Sequence, residues 1–497
     1  MSATPTVSPE IQNFEGAHGY AQRQPQRTAA WQTVQLHWLE YEAQVEQAHD
    51  GHGVAAFVSG AMSKFLGCGM HTSGFARVRC KSCGDDLLLP FSCKQRAICS
   101  SCDGRRMVEL SAHLVDDVVP DVATRQWVLT FPHWLRFRLA FDAKLLTGAL
   151  GVWIKTVTSW YRKQARQRWR IADGQCASFS VVQRFGDALV LNPHIHSVFC
   201  DGVWFAGDGG DVEPEFLELD GPTDGEMLEI CVDARRRVLR WLVRKGVVQP
   251  GEQWDEGQEL LAEIDPVRAW STKAALLDRV SIGKRAGQLV ARLREGPVQA
   301  KKMGRRCAMA DGFNIHANVR IGPMGRDALE RLCRYVLRPA LCSGRLELLD
   351  DGRILARLKR RWSDGTWAKV FEPLDFLSKV TALIPLPRSN LLRYHGQFAP
   401  QGRWRAAIVR TTRKRTTGCN KVPLDEATKH RRRSWAELLR RAFSIEILAC
   451  LKCGGRRELI ALINPGKAAV RILEHVGIPS VPPQLKAARG PPDPWWD

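Results

Sequence analysis

Residues 192–205 read NPHIHSVFCDGVWF, and this stretch decides the fold that the sequence predicts. Its β-branched and aromatic residues are typical of a strand within a sheet. Side chains alternate between the two faces of a strand, so His194 and His196 would lie on one face and Ile195 on the other. Two imidazoles on one face can begin a site for a divalent metal ion, although two surface histidines would give the same pattern.

The predicted strand needs a neighbour that could supply a third metal ligand. Proline is tolerated at the first residue of a strand, so Pro193 predicts a start near His194, after a loop over residues 186–193. A loop of this width places Gln183, in the preceding strand ASFSVVQRF, opposite the histidine pair and on the same face. His316, in the predicted strand FNIHANVRI, is the alternative third ligand or a residue that lines a groove.

The segment GRDALERLCRYVLRP (325–339) has the pattern of an amphipathic helix that opens with acidic residues and closes before Pro339. Arg331 precedes Tyr335 by four residues and Arg338 follows it by three, so both guanidinium groups would share the tyrosine's face. A phenol beside cations and a metal ion can attack a phosphodiester, because the charges stabilise the developing phenolate. The alternative interpretation is that Tyr335 is an ordinary core residue.

Two Cys-x-x-Cys pairs are separated by fifteen residues: Cys80 with Cys83, and Cys99 with Cys102. Each pair can offer two thiolates to one tetrahedral zinc ion, and an intervening hairpin would return the chain to the same ion. The sequence therefore predicts one structural Zn²⁺ site built from these four cysteines. The alternatives are buried free cysteines or a redox pair.

Further cysteines raise the question of a second metal site. Cys68, His71 and Cys93 lie close to the two pairs, and they could replace a ligand, hold a second ion or simply be core residues. Cys450 and Cys453 form only half a site, because a zinc ion needs four ligands and no second knuckle lies nearby in the sequence. Zinc at this C-terminal pair is therefore not the favoured interpretation.

The chain has 497 residues, and its 73 Lys and Arg against 52 Asp and Glu leave a net charge of +21. This excess favours a polyanionic partner, since clustered cations gain free energy by displacing counterions from phosphates. No run of about 18 apolar residues exists, and the N-terminus lacks the basic and apolar regions of a signal peptide. Cysteines in C-x-x-C pairs are typical of a reduced compartment, so we expect a cytoplasmic, nucleoid-associated protein without a membrane span.

The order of predicted elements indicates an α+β protein. The cysteine-rich segment is too short to fold on apolar burial alone, which favours a zinc-ribbon-like module. The predicted units are an N-terminal arm and helix (1–60), a zinc-binding domain (61–118), a catalytic domain (119–345) with a helical insertion at about 205–300, a strand-rich and helical extension (346–402), a basic linker (403–434), a small C-terminal domain (435–480) and a Pro-rich tail (481–497).

Taken together, these motifs resemble those of the rolling-circle transposases of insertion sequence family ninety-one, within the HUH (His-hydrophobic-His) endonucleases. The resemblance covers roughly residues 60–480 and is to the common-region (ISCR-like), single-tyrosine branch. NPHIH is similar to the family's metal motif, LCRYVLRP to its tyrosine motif and LTFPH (129–133) to its first motif. The segment from RCKSCG through ICSSCDGRR resembles its zinc-binding domain, and RYHGQFAP and LKCGGR resemble its C-terminal segments.

This resemblance implies an HUH-endonuclease-like antiparallel sheet with flanking helices. It also implies a transposase that nicks and rejoins single-stranded DNA at element ends in rolling-circle DNA transposition. Tyr335 would form a 5′-phosphotyrosine intermediate, and Mg²⁺ or Mn²⁺ would be held by His194, His196 and Gln183. The expected partner is therefore DNA, mainly single-stranded element ends and target.

The chain departs from the two-tyrosine members of the family at one position. Those members carry a second tyrosine four residues before the first, and here that position is Arg331. A mechanism that alternates two tyrosines on one helix is therefore not implied. Tyr161 and Tyr394 have no motif support as substitutes.

Three other functions would account for some of these motifs. A plasmid rolling-circle replication initiator or relaxase would use the same nicking chemistry at a plasmid origin. A non-catalytic zinc DNA-binding regulator would keep every function after Tyr335→Phe, whereas loss of nicking with binding retained would rule it out. A metal-independent tyrosine recombinase would cleave duplex DNA in the presence of a chelator.

Overall fold

The structure is a computed structural model that describes residues 23–206, 213–248, 262–295, 304–409 and 448–487. Most of the predicted N-terminal arm and basic linker, parts of the predicted insertion at about 205–300 and the end of the Pro-rich tail lie outside these ranges. The fold is mixed α+β, with antiparallel sheets and flanking helices, as predicted. None of the described helices is long and apolar enough to cross a membrane.

The described α-helices are α1 (Ala29–Ala48), α2 (Ala56–Leu66), α3 (Ser100–His113), α4 (His133–Phe141), α5 (Ala143–Trp169), α6 (Asp224–Arg244), α7 (Pro266–Leu277), α8 (Arg326–Val336), α9 (Pro373–Leu383), α10 (Arg405–Ile408) and α11 (Lys467–His475). The described strands are β1 (Phe75–Cys80), β2 (Asp86–Pro90), β3 (Thr124–Thr130), β4 (Ala177–Phe185), β5 (Leu191–Cys200), β6 (Gly202–Phe205), β7 (Glu215–Glu218), β8 (Ala291–Arg294), β9 (Cys307–Ala310), β10 (Phe313–His316), β11 (Arg320–Ile321), β12 (Leu346–Leu348), β13 (Ile354–Arg357), β14 (Thr366–Phe371), β15 (Leu392–Gly396) and β16 (Arg457–Ile463).

The central sheet has seven strands in the order β15-β4-β5-β3-β10-β9, and β11 also pairs with β3. One face is covered by the long helices α5 and α6. Leu129, Ile195 and Phe199 of the sheet are fully buried there with Trp153 of α5 and Val238 of α6. The alternation predicted for β5 is therefore correct, since Ile195 lies in this core.

The opposite face of the sheet carries the tyrosine helix. Phe179, Val181 and Val198 pack there against Leu332 and Val336 of α8. The helix ends at Val336, before Pro339, as its sequence predicts. Burial of its apolar stripe fixes α8 across β4 and β5, which brings the C-terminal end of the helix to the histidine pair.

The start of β5 differs from the prediction. The strand begins at Leu191 rather than near His194. Gln183 pairs with His194 and Phe185 with Leu191, so β5 holds one residue more than β4 between these pairs. Pro193 lies in this bulge, where a missing amide hydrogen is tolerated. The register still places Gln183 directly opposite His194, as predicted.

A buried ion pair holds the far end of β5. Asp201 accepts hydrogen bonds at 2.9 and 2.7 Å from Nε and Nη2 of Arg125, and at 2.8 Å from the hydroxyl of Tyr161. Both members of the ion pair are buried, with side-chain exposures of 3% and 0%. Arg320 approaches the same carboxylate at 3.4 Å. This network links β3, the end of β5, α5 and β11 through one buried carboxylate.

We expect Asp201→Asn to lower the free energy of unfolding by about 3 kcal/mol, because it leaves the charge of Arg125 buried without a counter-ion. Denaturant unfolding followed by tryptophan fluorescence measures this change. Asp350→Asn, at an exposed turn, is the matched control and should change the free energy of unfolding by less than about 0.5 kcal/mol. Equal stability of the two variants would contradict the role assigned to the ion pair.

Besides the two-stranded sheet of β6 and β7, two smaller sheets complete the described part of the fold. A four-stranded sheet, β12-β13-β14-β8, is formed by the extension after the tyrosine helix together with the strand β8. The Asp351-Gly352 and Asp364-Gly365 turns lie between its strands, and both glycines have positive φ, at 83° and 79°. A three-stranded sheet, β16-β1-β2, joins the C-terminal strand to the cysteine-rich module.

Candidate active site

The histidine pair lies on the sheet face that carries α8. The rings of His194 and His196 are buried, with exposures of 8% and 4%, and their centroids are 4.8 Å apart. Burial lowers the pKa of His194 to about 4 and the pKa of His196 well below the ordinary value of 6.5. Both rings are therefore neutral at pH 7, which is the form that binds a metal ion.

The hydrogen bonds of the two rings leave their Nε2 atoms available. His194 donates from Nδ1 to the carbonyl of Asn192 at 2.7 Å. His196 Nδ1 lies 2.8 Å from the side-chain amide of Gln126, while its Nε2 is buried and has no hydrogen-bond partner among the residues that the structure describes. If Nε2 of His196 binds a cation, Nδ1 keeps the ring proton, and a half-turn of the Gln126 amide presents an oxygen to accept it.

Gln183 connects the histidine pair to the tyrosine helix. Its Nε2 donates to the carbonyl oxygens of Val336 at 2.6 Å and of Tyr335 at 3.3 Å, at the end of α8. These bonds satisfy carbonyls that a helix end leaves without internal partners. The Oε1 of Gln183 is buried and has no partner in the described part of the chain. An amide oxygen and two neutral imidazoles together form a donor set that can bind a divalent metal ion.

His316, the alternative third ligand, lies farther from the pair. It is opposite Val128 of β3, and Val128 is opposite His196, so two strand spacings separate the histidines. That distance is about 10 Å between backbones, whereas Gln183 is on the strand next to His194. The geometry therefore favours Gln183 as the third ligand and leaves His316 on the neighbouring surface.

Tyr335 is at the open side of the histidine pair. Its side chain is 40% exposed, and its ring centroid is 5.8 Å from that of His196. Arg338 Cζ and Lys359 Nζ each lie 4.9 Å from the centre of the phenol ring. Arg331, the other predicted phosphate-handling residue, is exposed one helical turn earlier. The structure therefore combines an accessible phenol, two cations and a neutral histidine pair, an arrangement that can stabilise a phenolate beside a phosphate.

Lys359 was not predicted from the sequence. It follows β13, and its backbone amide donates to Asp187 in the turn between β4 and β5, at 3.5 Å. Arg345 pairs with the same carboxylate at 3.6 Å. Burial and the neighbouring arginines lower the pKa of Lys359. One lysine in the basic stretch LKRR has no distinctive sequence signal, because its position depends on contacts with a distant turn.

Three other tyrosines are described, and none of them resembles Tyr335 in its environment. Tyr41 and Tyr161 are fully buried. Tyr161 also donates its hydroxyl to Asp201, on the other face of the sheet from the histidines. Burial raises the pKa of Tyr394 to about 12, which disfavours its phenolate. This agrees with the absence of motif support for Tyr161 and Tyr394 as substitute nucleophiles.

The predicted single zinc site is wrong in its grouping. The structure brings Cys99 and Cys102 together with Cys68 and Cys93, and the ligand atoms of these four cysteines lie within 4.8 Å of one another. Their sulfur atoms are as close as 3.6 Å, as in the pair Cys68 and Cys99. The cause is local. Cys99 is the N-cap of helix α3 and Cys102 lies in its first turn, so this pair packs against the end of α2 rather than against the β1–β2 hairpin.

Cys80 and Cys83 instead meet the C-terminal pair, Cys450 and Cys453. These four sulfur atoms also lie within 4.8 Å of one another. The described residues thus form two four-cysteine clusters, and either donor set suits a structural Zn²⁺. His71 is in neither cluster: its Nε2 lies 3.1 Å from the carbonyl oxygen of Leu88.

Comparison with protein-family models gives two matches. Residues 33–131 match the model described as "Transposase zinc-binding domain", and residues 239–406 match the model described as "Putative transposase". The first segment contains the complete cluster of Cys68, Cys93, Cys99 and Cys102, which supports structural zinc there. The second contains Tyr335 and Lys359, and the histidine pair lies between the two segments. Comparisons with curated proteins and with solved structures give no match.

Both matched segments point to the same class of enzyme. A transposase binds DNA and cuts and joins its strands, which agrees with the net charge of +21 and with the cations around Tyr335. The common-region branch is not distinguished by these matches and stays a prediction. The chain is a transposase like those of insertion sequence family ninety-one.

Proposed function

We propose that this transposase nicks and rejoins single-stranded DNA at element ends through a covalent link to Tyr335. One observation carries the proposal: the exposed phenol of Tyr335 lies against a buried, neutral histidine pair, and the Gln183 amide joins the two. If Tyr335 were an ordinary core residue, it would not need two cations and a set of metal-type donors around its ring. They do fit phosphoryl transfer to a phenol.

The reaction can be written for the residues present. The Tyr335 hydroxyl gives up its proton to solvent, and its oxygen attacks the scissile phosphorus. A bond forms between phosphorus and the tyrosine oxygen, and the bond to the 3′ oxygen breaks. The leaving oxygen takes a proton and becomes a 3′-hydroxyl, while the DNA keeps a 5′-phosphotyrosine link. In joining, a 3′-hydroxyl of the target attacks this link and releases Tyr335.

The neighbouring side chains would position the strand and stabilise charge. Arg338 and Lys359, each 4.9 Å from the centre of the phenol ring, would hold the phosphate and the developing phenolate. His194, His196 and Gln183 would hold Mg²⁺ or Mn²⁺, which when bound supplies Lewis-acid polarisation of the scissile phosphate. Gln183 would also keep α8 in register with the histidines, since it bonds the last carbonyls of that helix.

The proposal is tested with the purified full-length chain and single-stranded oligonucleotides from the flanks of its own gene. The protein is incubated with Mn²⁺ or with EDTA, and denaturing gels reveal covalent adducts. We expect a metal-dependent adduct, and peptide mapping should place the nucleotide on Tyr335. An adduct on another tyrosine, or one that forms equally in EDTA, would contradict the proposed site.

Three observations separate the alternative functions. Binding of DNA without any adduct would favour a zinc DNA-binding regulator. Excision of the element in a donor-plasmid assay separates a transposase from a replication initiator or relaxase, because only the transposase acts on both element ends. Duplex cleavage that resists the chelator would indicate a metal-independent recombinase.

Lys359 provides a sharper test of the site. We expect Lys359→Ala to slow adduct formation by about tenfold to a hundredfold, because one preorganised cation beside the phenol is lost. Arg361→Ala is the matched control, since Arg361 pairs with Glu295 at 2.8 Å and has an exposed side chain. Single-turnover adduct kinetics at saturating DNA measure both variants. Equal rates for the two would remove Lys359 from the site.

A further inference from the structure

The cluster of Cys80, Cys83, Cys450 and Cys453 joins parts of the chain that are far apart in sequence. Cys80 is the last residue of β1 and Cys83 lies in the turn before β2, whereas Cys450 and Cys453 precede β16 and lie outside both segments that match transposase families. The Sγ atoms of Cys80 and Cys453 are 3.5 Å apart, and those of Cys83 and Cys450 are 3.6 Å apart. We propose that these four cysteines bind a second zinc ion, which fastens the C-terminal segment 448–487 to the N-terminal module.

The sulfur distances fit a shared metal ion. Tetrahedral coordination with Zn–S bonds of about 2.3 Å places the sulfurs about 3.8 Å apart, whereas a disulfide would hold them at about 2.05 Å. All four are free cysteines. Four thiols converging at this spacing form the donor set of a structural Zn²⁺ site.

The two halves of the cluster have the same backbone form. Gly84 follows Cys83 and Gly454 follows Cys453, with φ of 71° and 69°. Each glycine donates its amide to the carbonyl of the first cysteine of its pair, at 3.0 Å from Gly84 and 2.8 Å from Gly454. Glycine adopts this left-handed turn at no steric cost, and the turn directs both sulfur atoms of a knuckle to one point. The two knuckles thus face each other as matched halves of a ribbon site.

Charged residues around the cluster suit an anionic zinc–tetrathiolate centre. Asp85 follows the first knuckle and pairs with Lys452 at 2.5 Å and with Arg457 at 2.8 Å. Lys452 lies inside the second knuckle, so one carboxylate holds two cations beside the four thiolates. This contact links the two knuckles independently of the sulfur atoms.

The remaining contacts of the C-terminal segment are modest. Strand β16 pairs with β1 from Phe75 to Cys80, and Ala469 and Leu473 of α11 pack on Phe75. A unit of about 40 residues usually cannot bury enough apolar surface to be stable without a metal or a disulfide. The expected consequence is that the segment stays attached while zinc is bound and separates when this ion is removed. The inference does not depend on the nucleophile or on catalysis.

The first experiment uses the unaltered chain. The zinc-loaded protein is titrated with a chelator, and mass spectrometry follows the alkylation of each cysteine. We expect two groups that become reactive together: Cys80, Cys83, Cys450 and Cys453, and Cys68, Cys93, Cys99 and Cys102. Alkylation of Cys450 and Cys453 at full zinc occupancy would overturn the proposal, as would release of Cys80 and Cys83 together with Cys99 and Cys102.

The second experiment tests attachment directly. A protease site is inserted within residues 410–447, the full-length protein is cut, and gel filtration shows whether the C-terminal piece stays bound. We expect Cys450→Ser with Cys453→Ser to lose one of two zinc ions per chain and to release the piece. Cys307→Ser with Cys342→Ser is the two-thiol control, since both cysteines lie outside the clusters. Retention of the piece and of both ions by the first variant would overturn the proposal.

A single substitution at the exposed Cys453 provides a rescue. Histidine can replace one cysteine as a zinc ligand, so Cys453→His should keep the second ion and the attached piece, whereas Cys453→Ala should lose both. Loss in both variants alike would mean that the side chain of Cys453 acts through packing rather than as a ligand, against the proposal. The alkylation pattern of the unaltered chain decides the matter even if a variant fails to fold.

Discussion

Tyr335→Phe is expected to lower the rate of covalent adduct formation by about four orders of magnitude or more, because it removes the attacking oxygen and little else. The ring of Tyr335 would keep its contacts with His196, Arg338 and Lys359, so DNA binding should change by less than about threefold. Single-turnover kinetics measure the adduct, and fluorescence anisotropy with the same labelled oligonucleotide measures binding.

Tyr394→Phe is the matched control for this substitution. Tyr394 is half-buried on β15 and contacts the core on the same face of the sheet. Its variant should form the adduct at the rate of the unaltered chain. If the Tyr335→Phe protein still forms the adduct, another residue must be the nucleophile, and the proposed assignment is contradicted.

Replacing either histidine of the pair is expected to lower adduct formation by roughly a thousandfold, since a metal ion at a scissile phosphate supplies several kcal/mol of charge stabilisation. His194→Asn and His196→Asn are preferred to alanine because the sites are buried and asparagine limits the cavity. The assay is adduct formation as a function of Mn²⁺ concentration, which separates weaker metal binding from slower chemistry at saturation.

The same assay can identify the third ligand of the proposed metal ion. Gln183→Ala should weaken Mn²⁺ binding, as the histidine variants do. His316→Asn should lower adduct formation by less than about tenfold. The difference follows from the register, because Gln183 is opposite His194 and His316 is two strands from His196. A large effect at His316 with none at Gln183 would reverse the assignment. Unchanged metal dependence in His196→Asn would contradict a metal site at the pair.

Local patterns in the sequence predicted much of this protein correctly. The alternation in NPHIHSVF placed His194 and His196 on one face of a strand, and the apolar spacing around Tyr335 predicted α8 and its end before Pro339. Such patterns are reliable because the periods of strands and helices are set by the backbone itself. The position of Gln183 opposite His194 was also predicted, from a loop over residues 186–193; the strand in fact begins at Leu191, and a bulge keeps the predicted register.

The cysteines show where local reasoning fails. Pairs close in sequence were assigned to one zinc ion, but Cys80 and Cys83 meet Cys450 and Cys453 instead. A signal was present: both of these pairs read C-x-x-C-G, whereas Cys102 is followed by Asp103 and begins a helix. The shared glycine indicates the same knuckle turn, and it could have identified the two halves of the ribbon.

The sequence by itself thus determined the individual elements, the histidine pair, the tyrosine helix and the class of chemistry. Only the tertiary structure decided which distant parts meet: Lys359 with Tyr335, Gln183 with the end of α8, and the C-terminal knuckle with the N-terminal one. The physical reason is that periodicity and turn preference act over a few residues. Contacts between distant segments depend instead on how all the buried faces pack at once, and no single stretch of the sequence encodes that.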